Sequence, residues 1–230
     1  MKRRDFMHTS TCALAVGALS LVFNRQAAWA SNAGPPMSSD AALKELVAGN
    51  TRFVSGALTH PHQNGARLAE TLSGQHPFVV IFGCSDSRVA PEVVFDQGIG
   101  DVFTIRAAGQ VPDSAGLGSI EYSVAELKVP LLVVLGHEKC GAVAAAVEKF
   151  KHGTTFPGDI EVLAAAILPA VKAVSHLPGD NLDNAVRENV KLVVQKMKSS
   201  PILGAAYEAK TLKIVGAYYG LTTGKVEIIA

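Results

Sequence analysis

Two uninterrupted apolar runs stand out in the pattern of hydrophobic and polar residues along the chain. They cover residues 78–82 and 131–135, and a glycine follows each of them. Short apolar runs rich in β-branched residues are typical of strands that are buried on both faces of a parallel sheet. The residues that follow the two runs are therefore expected to meet at one edge of a sheet, beyond the carboxyl ends of its strands, where ligands bind in open α/β folds.

The rest of the pattern predicts helices that alternate with shorter strands. Apolar residues recur at helical spacing over residues 41–54, 66–72, 114–127, 142–150, 159–175 and 181–197. The strand of the second apolar run is predicted over residues 129–135. Further strands are predicted over residues 101–106, 211–218 and 225–229, with a hairpin turn at 221–224. This order predicts a three-layer α/β/α fold with a mainly parallel central sheet, extended by an antiparallel strand at its C-terminal end.

Length and charge narrow the choice of function class. At 230 residues the chain has room for one α/β domain, which we place at residues 38–230 after a linker at residues 31–37. The chain carries 21 basic and 20 acidic residues, so its net charge is close to zero. Nucleic acids and anionic membrane surfaces are bound through basic patches, and neither is an expected partner here.

The first 30 residues have the features of a twin-arginine signal peptide. Arg3 and Arg4 precede a modestly apolar run over residues 12–23, and residues 28–30 form a small-x-small cleavage site. The run is too short and interrupted for a stable transmembrane helix, and an uncleaved N-terminal anchor is the alternative. We expect the twin-arginine translocase as a partner during export, cleavage after Ala30, a periplasmic location and no membrane association of the mature chain.

Side chains that bind metal ions follow both apolar runs. Cys84 and Asp86 come after the first, and His137 and Cys140 come after the second. Two sulfurs and one imidazole nitrogen can hold one Zn²⁺ per chain and leave the fourth tetrahedral position for water, for substrate or for Asp86. If a helical turn begins at His137, then His137 and Cys140 share one of its faces.

Other interpretations of these cysteines exist. In an oxidising compartment Cys84 and Cys140 can form a disulfide, or they can be buried thiols without a ligand. Their joint placement after two core strands favours zinc. A domain of this size can form a sufficient hydrophobic core without a structural metal ion. A bound ion is therefore more readily explained as catalytic than as structural.

The fourth zinc position depends on Asp86 and Arg88, which are close enough in the sequence to form a bidentate ion pair. While Arg88 holds Asp86, the carboxylate is kept off the metal and water takes the fourth position. When the pair breaks, Asp86 can bind zinc as the fourth ligand and close the site.

Residues 84–88, Cys-Ser-Asp-Ser-Arg, and residues 136–141, Gly-His-x-x-Cys-Gly, resemble the β-class carbonic anhydrases of the plant-like, open-site type. The resemblance extends across most of the mature chain. It implies zinc-dependent reversible hydration of CO2 to bicarbonate and a proton, by attack of zinc-bound hydroxide, in a homodimer or tetramer. It also implies that Cys84, His137 and Cys140 are the permanent zinc ligands and that Asp86 and Arg88 are the catalytic dyad.

The same resemblance implies a substrate pocket. Gln75 and the backbone N–H of Gly141 stand where the family binds substrate, and the apolar lining, much of which the family takes from a neighbouring subunit, is implied to be Phe103, Ala108 and Tyr122. Ile81 replaces the tryptophan with which some bacterial members bind inhibitory bicarbonate, so that this regulation is expected to be absent or weak. Residues 106–110 also depart from the commoner Arg-Asn-x-Ala-Asn pattern.

Two other functions stay open at this point. The same zinc site would suit a hydrolase of CS2 or COS, and sequence alone does not show which gas enters the pocket. The chain would otherwise be a non-catalytic periplasmic zinc-binding protein. Asp86, Arg88 and Gln75 argue against zinc storage, because storage needs no such groups.

Overall fold

Five strands form one sheet in the computed structural model, which describes residues 37–230. They are β1 (Val79–Gly83), β2 (Val102–Arg106), β3 (Leu131–His137), β4 (Lys213–Tyr219) and β5 (Val226–Ile228). Their spatial order is β2-β1-β3-β4-β5. The first four are parallel, and β5 pairs with β4 in the antiparallel direction. The predicted signal peptide and most of the predicted linker lie outside the described residues.

The helices of the described residues, in chain order, are α1 (Ser39–Ser55), α2 (Gly65–Glu70), α3 (Pro91–Val94), α4 (Ser114–Ala125), α5 (Gly141–His152), α6 (Ile160–Val174), α7 (Asn181–Ser199) and α8 (Pro201–Glu208). Two short 3₁₀ segments cover Thr71–Ser73 and Ala108–Gln110. Within this part of the chain, no helix is both long enough and apolar enough to cross a bilayer.

Helices cover both faces of the sheet because β1 and β3 are apolar at every position along their cores. Val80 and Phe82 point to the face packed by α4, α7 and α8. Val79 and Ile81 point to the opposite face, which is packed by α1 and α3. Helices α5 and α6 add a further apolar cluster with α7. The predicted three-layer α/β/α fold with its antiparallel C-terminal strand is confirmed.

The parallel pairing of β1 with β3 decides where the site lies. Gly83 of β1 is paired with Leu135 of β3, so both strands end at the same edge of the sheet. Cys84 follows β1 directly, and His137 is the last residue of β3. The expected meeting of the two polar loops at one edge is therefore present.

Some element ends differ from the prediction. Strand β3 begins at Leu131 instead of residue 129, because Pro130 has no N–H to donate to a ladder, and it continues through His137 by pairing with β4. Helix α8 is missing from the prediction, although Ser200 and Pro201 mark its start. His137 and Cys140 do not share a helical turn. A tight turn with Lys139 at a φ of 54° separates them, and Cys140 is the N-cap of α5.

Candidate metal centre

Cys84, His137 and Cys140 form a buried cluster at the carboxyl edge of the sheet. One ligand atom from each of them lies within 4.8 Å of the others. Cys84 is held by the end of β1, His137 by the end of β3 and Cys140 by the start of α5. The three residues proposed as metal ligands from the sequence are thus brought together by three different elements.

The orientation of His137 leaves one ring nitrogen free. Its Nδ1 lies 2.8 Å from the carbonyl oxygen of Glu138, which can only accept, so Nδ1 carries the proton. The other nitrogen, Nε2, is buried and has no hydrogen-bond partner within residues 37–230. A buried polar atom without a partner calls for an explanation. An imidazole lone pair beside two cysteine sulfurs is a donor set that Zn²⁺ prefers, so these residues fit the ion.

The two sulfurs are unequal. Cys84 Sγ and Cys140 Sγ lie 3.9 Å apart, and neither cysteine forms a disulfide within residues 37–230. Hydrogen bonds from Cys140 and from the N–H of Gly109 at 3.2 Å lower the pKa of Cys84 well below its ordinary value. The hydrogen bond between the two sulfurs and burial raise the pKa of Cys140. The cluster therefore favours one thiolate already before any cation binds.

Asp86 and Arg88 form the bidentate pair expected from their spacing. Arg88 Nε is 2.9 Å from Asp86 Oδ1, Arg88 Nη2 is 2.7 Å from Oδ2, and the Arg88 N–H also donates to Oδ1 at 3.0 Å. These hydrogen bonds hold the pKa of Asp86 well below its usual range. Asp86 Oδ2 lies 3.8 Å from His137 Nε2, so an ionised carboxylate flanks the cluster.

Arg106 fixes the loop that carries Cys84 and Asp86. Its Nε donates to the carbonyl oxygen of Cys84 at 2.9 Å, and its Nη2 donates to that of Asp86 at 2.6 Å. Because Arg106 ends β2 and pairs in register with Gly83, the edge strand holds the loop from the side.

Glu138 fixes the turn after β3 in a similar way. Its carboxylate accepts the N–H of Thr222 at 2.9 Å and the Thr222 hydroxyl at 3.0 Å, and these bonds lower the pKa of Glu138. Its own N–H donates to the carbonyl of Tyr219 at 2.9 Å. The carbonyl that orients His137 is thereby tied to the loop between β4 and β5.

The residues predicted to bind substrate separate into two groups. Gly141 is exposed at the first position of α5, beside Cys140, and Ala108 precedes the Gly109 that contacts Cys84. Gln75 precedes the first residue of β1, whereas Cys84 follows its last residue. Strand β1 has 5 residues, and at ~3.3 Å per residue it is about 16 Å long. Within one chain, Gln75 therefore lies far from Cys84.

Phe103 and Tyr122 also lie apart from the cluster. Their ring centroids are 6.4 Å apart on β2 and α4, and Tyr122 is 44% exposed. Phe103 packs against the apolar cluster around Val80, not against the one that contains Cys84. The roles predicted for Gln75, Phe103 and Tyr122 need a surface that a single chain does not provide, and they stay predictions.

Several residues that shape the cluster are missing from the sequence interpretation. They are Gly109, Glu138, Asn189 and Thr222. Asn189 is the one that the sequence could have indicated, because its amide interrupts the apolar face of α7. The others act through backbone groups or across loops, which leave no periodic trace in the sequence.

Comparisons with known proteins agree on one family. The family model described as carbonic anhydrase matches residues 79–226. A carbonic anhydrase of Mycolicibacterium smegmatis is 42% identical over 195 residues, which cover 84% of this chain and 95% of the relative. Carbonic anhydrase 2 of Mycobacterium tuberculosis is 43% identical over 192 residues, which cover 83% of this chain and 93% of the relative.

Solved structures show the same fold. The β-carbonic anhydrase of Coccomyxa, in complex with acetazolamide, has a TM-score of 0.65 at 25% identity, with 95% of this chain and 87% of that chain covered. Tetrameric β-carbonic anhydrases of Sordaria macrospora give a TM-score of 0.67 at 22% identity. The alignment covers 82% of this chain and 96% of that chain. The family model spans well over half of the chain and the relatives align over nearly their whole length. The chain therefore belongs to the β-class carbonic anhydrase family.

Proposed function

We propose that the chain is a zinc-dependent enzyme that interconverts CO2 with bicarbonate and a proton. One observation carries the proposal. The unpartnered Nε2 of buried His137 faces two cysteine sulfurs, and the Asp86 carboxylate held by Arg88 lies beside it. Zinc storage would require the three ligands alone, and it gives no reason for the Asp86–Arg88 pair.

Cys84 Sγ, His137 Nε2 and Cys140 Sγ would hold the zinc ion, one per subunit. Bound there, the ion supplies the Lewis acidity that makes water a nucleophile near neutral pH. The pair between Asp86 and Arg88 supports the arrangement in which Asp86 is kept from the fourth position. Loss of that pair would let Asp86 become the fourth ligand and close the site.

Asp86 is the proposed acceptor that orients the attacking water. The low pKa of Asp86 keeps the carboxylate ionised at neutral pH, so it can accept but not donate. An ionised carboxylate has about four acceptor positions, and Arg88 uses three of them through its Nε, Nη2 and backbone N–H. A free lone pair is left to receive the O–H of water, which turns a water lone pair toward the carbon of CO2.

The start of α5 is suited to the charge that develops on the substrate. Gly141 presents a backbone N–H at the N-terminus of a 12-residue helix, where the helix dipole favours negative charge. A donor placed where an oxyanion forms stabilises the transition state more than the neutral substrate. Gly141 is therefore proposed to bind the oxygen of nascent bicarbonate, with Ala108 as part of the apolar wall around CO2.

A second copy of the chain is proposed to complete each site, in a homodimer or tetramer. Gln75, Phe103 and Tyr122 lie away from their own metal cluster, and they would serve the cluster of a partner. Strand β2 supports this, because it is an edge strand that pairs only with β1 among the described strands. The relatives from Sordaria macrospora are described as tetrameric.

The comparisons lend no support to the other two functions. Hydrolysis of CS2 or COS and zinc binding without catalysis are not named for the relatives reported above, which are carbonic anhydrases. For location, the twin-arginine pattern of residues 1–30 leads us to propose export to the periplasm. Replacing Arg3 and Arg4 by lysine should then keep the uncleaved chain in the cytoplasmic fraction.

The function is tested by stopped-flow CO2 hydration on residues 31–230, with zinc measured in the same sample. The wild-type chain should bind one zinc ion and show activity that rises with pH. Cys84→Ser should lose both the zinc and the activity, while circular dichroism shows that it keeps its helices. Full activity of Cys84→Ser, or a wild-type protein with bound zinc that does not hydrate CO2, would refute the proposal.

A further inference from the structure

Asn189 is a buried amide on a helix face that is otherwise apolar. Val186, Val190 and Val193 form this face of α7, and all are buried. Asn189 lies among them with 5% of its surface exposed, and its Nδ2 donates to the carbonyl oxygen of Gly109 at 3.0 Å. Burial of an amide is unfavourable unless its hydrogen bonds are made, so this contact explains why the position tolerates asparagine.

Gly109 is held in a conformation that leaves it little freedom. Its φ is 64°, and the next residue, Gln110, has a φ of 43°, which is strained for a residue with a side chain. A Cβ on Gly109 would lie 2.7 Å from Ile167 Cδ1 and 3.0 Å from Ala142 Cβ. Helices α5 and α6 thus pack closely against Gly109 on one side, while Asn189 donates to its carbonyl oxygen.

The other end of the same residue contacts a proposed metal ligand. The N–H of Gly109 donates to Cys84 Sγ at 3.2 Å. Asn189, Gly109 and Cys84 therefore form a continuous chain of hydrogen bonds that runs from the middle of α7 to the metal cluster. Asn189 and Gly109 are 80 positions apart in the sequence.

We infer that Asn189 is a positioning residue for the metal centre, acting through the N–H of Gly109 on the sulfur of Cys84. The inference rests on the proposed function, since it requires that Cys84 bind a metal ion. An N–H donated to a thiolate draws electron density away from the sulfur and fixes the direction of its lone pairs. Loss of a group that orients a ligand typically costs about 10–100-fold in metal affinity.

Asn50 provides a matched control for the general effect of losing a buried asparagine. It is 6% exposed, and its Nδ2 donates to the carbonyl groups of Val94 at 3.1 Å and Gly224 at 2.9 Å. None of its hydrogen bonds involves the metal cluster. Loss of Asn50 should lower stability without changing the environment of the sulfur.

The test uses Co²⁺ alone as the probe in residues 31–230, with Asn189→Leu compared with Asn50→Leu. Two quantities are measured: the sulfur-to-cobalt charge-transfer band, and the affinity for Co²⁺ in competition with a coloured chelator. Asn189→Leu should shift the band and weaken the affinity by about 10-fold or more, as for other groups that orient ligands. Asn50→Leu should leave the band unchanged, because no hydrogen bond of Asn50 reaches either sulfur. If either leucine variant fails to fold, the pair Asn189→Ser and Asn50→Ser is measured, because serine is too short to reach the same carbonyl oxygens.

The outcomes separate this inference from the function on which it rests. A wild-type band and affinity in the Asn189 variants, with only their thermal stability lowered as in the Asn50 variants, would overturn the positioning role. A wild-type chain that binds no Co²⁺ or Zn²⁺ would overturn the metal centre itself and the inference with it.

Discussion

At the scale of single residues, a neighbour decides what each side chain of the metal centre can do. The carbonyl of Glu138 takes the Nδ1 proton of His137 and so leaves the Nε2 lone pair free. Arg88 keeps Asp86 ionised and turned toward the guanidinium group. The ligands and the Asp86–Arg88 pair would have little specificity without these fixed partners.

Replacement of Asp86 by asparagine should separate metal binding from turnover. Asp86→Asn is expected to keep its zinc, because Asp86 is paired with Arg88 and is not needed as a ligand. It should lose about 100-fold or more in kcat/KM, as for other groups that orient a proton. The control is Asp40→Asn, which replaces an exposed aspartate on α1. Both variants are measured by stopped-flow CO2 hydration and zinc analysis. A rate equal to wild type would remove Asp86 from the mechanism.

The meeting of the three proposed ligands was predictable because each follows a strand whose apolar run is visible in the sequence. Gly109 and Asn189 were not, because their contribution is a hydrogen bond between segments distant in the chain. Asn189 is recognisable as unusual from its place among buried valines. Its partner, however, depends on how α7 packs against the sheet, which periodicity does not reveal.

At the scale of elements, two glycines let α7 approach the strands that carry the site. A Cβ on Gly136 of β3 would lie 2.5 Å from Val190 Cγ2, and one on Gly216 of β4 would lie 2.7 Å from Val190 Cγ1. The close approach matters because Gly136 directly precedes His137. The helix also carries Asn189, next to Val190.

Gly136→Ala should therefore destabilise the protein by about 1–3 kcal/mol, since an added methyl group overpacks this contact. Gly118→Ala is the matched control in α4. A Cβ there meets nothing within 4 Å. The control should gain about 0.5–1 kcal/mol from the better helix propensity of alanine. Urea unfolding measures both, and equal stability of the two variants would contradict the proposed packing constraint.

The loop after α3 should make part of the stability dependent on pH. Burial alone would raise the pKa of Asp96, but hydrogen bonds from the Thr59 N–H, the Arg52 guanidinium and the His60 N–H hold it well below its usual range. A carboxyl group with a lowered folded-state pKa contributes stability above its unfolded pKa of about 4 and loses it as the pH falls toward the folded value.

Asp96→Asn should be less stable than wild type by about 3 kcal/mol at pH 7, because it breaks a buried ion pair with Arg52. The difference should shrink as the pH falls below ~4, where this carboxyl group takes up protons in the unfolded wild-type chain while it stays ionised in the folded one. Asparagine tolerates the positive φ of this position, so backbone strain is not added. Urea unfolding from pH 3 to 7 measures the change, and a constant difference would refute the role of ionisation.

The elements themselves were largely predictable from apolar runs and helical periods. Their ends were not, and β3 is the clearest case. Its extension through Gly136 and His137 comes from pairing with Tyr218 and Tyr219 of β4, far along the chain. The prediction left the residues between α7 and β4 as a connection, so it missed helix α8 although Ser200 and Pro201 mark its start.

At the scale of the whole molecule, the positions of Gln75 and Cys84 at opposite ends of β1 support a site shared between subunits. The family resemblance predicted both residues, and the apolar run at residues 78–82 lies between them in the sequence. A strand at ~3.3 Å per residue therefore keeps them apart within one chain. The three proposed metal ligands and the Asp86–Arg88 pair, in contrast, lie together within one chain.

Mixing two inactive variants tests the shared site. Cys84→Ser lacks a metal ligand, and Gln75→Ala lacks the proposed substrate contact. In a mixed dimer, the Gln75→Ala subunit would supply the metal and the Cys84→Ser subunit would supply Gln75, so that one site becomes complete. Activity after the two are unfolded and refolded together should exceed that of the two refolded separately. No gain, in mixed dimers confirmed by mass spectrometry, would show that Gln75 does not act on a partner.

The 3.9 Å between Cys84 Sγ and Cys140 Sγ affects how the protein must be handled. An ion held by both sulfurs would protect them from oxidation, whereas a strong chelator in air would leave two neighbouring thiols, one of them already favoured as thiolate. Small movements would then allow a cross-link that blocks reloading. Samples stripped of metal should be kept under a reductant, and activity lost during aerobic storage should return only when reductant and zinc are supplied together.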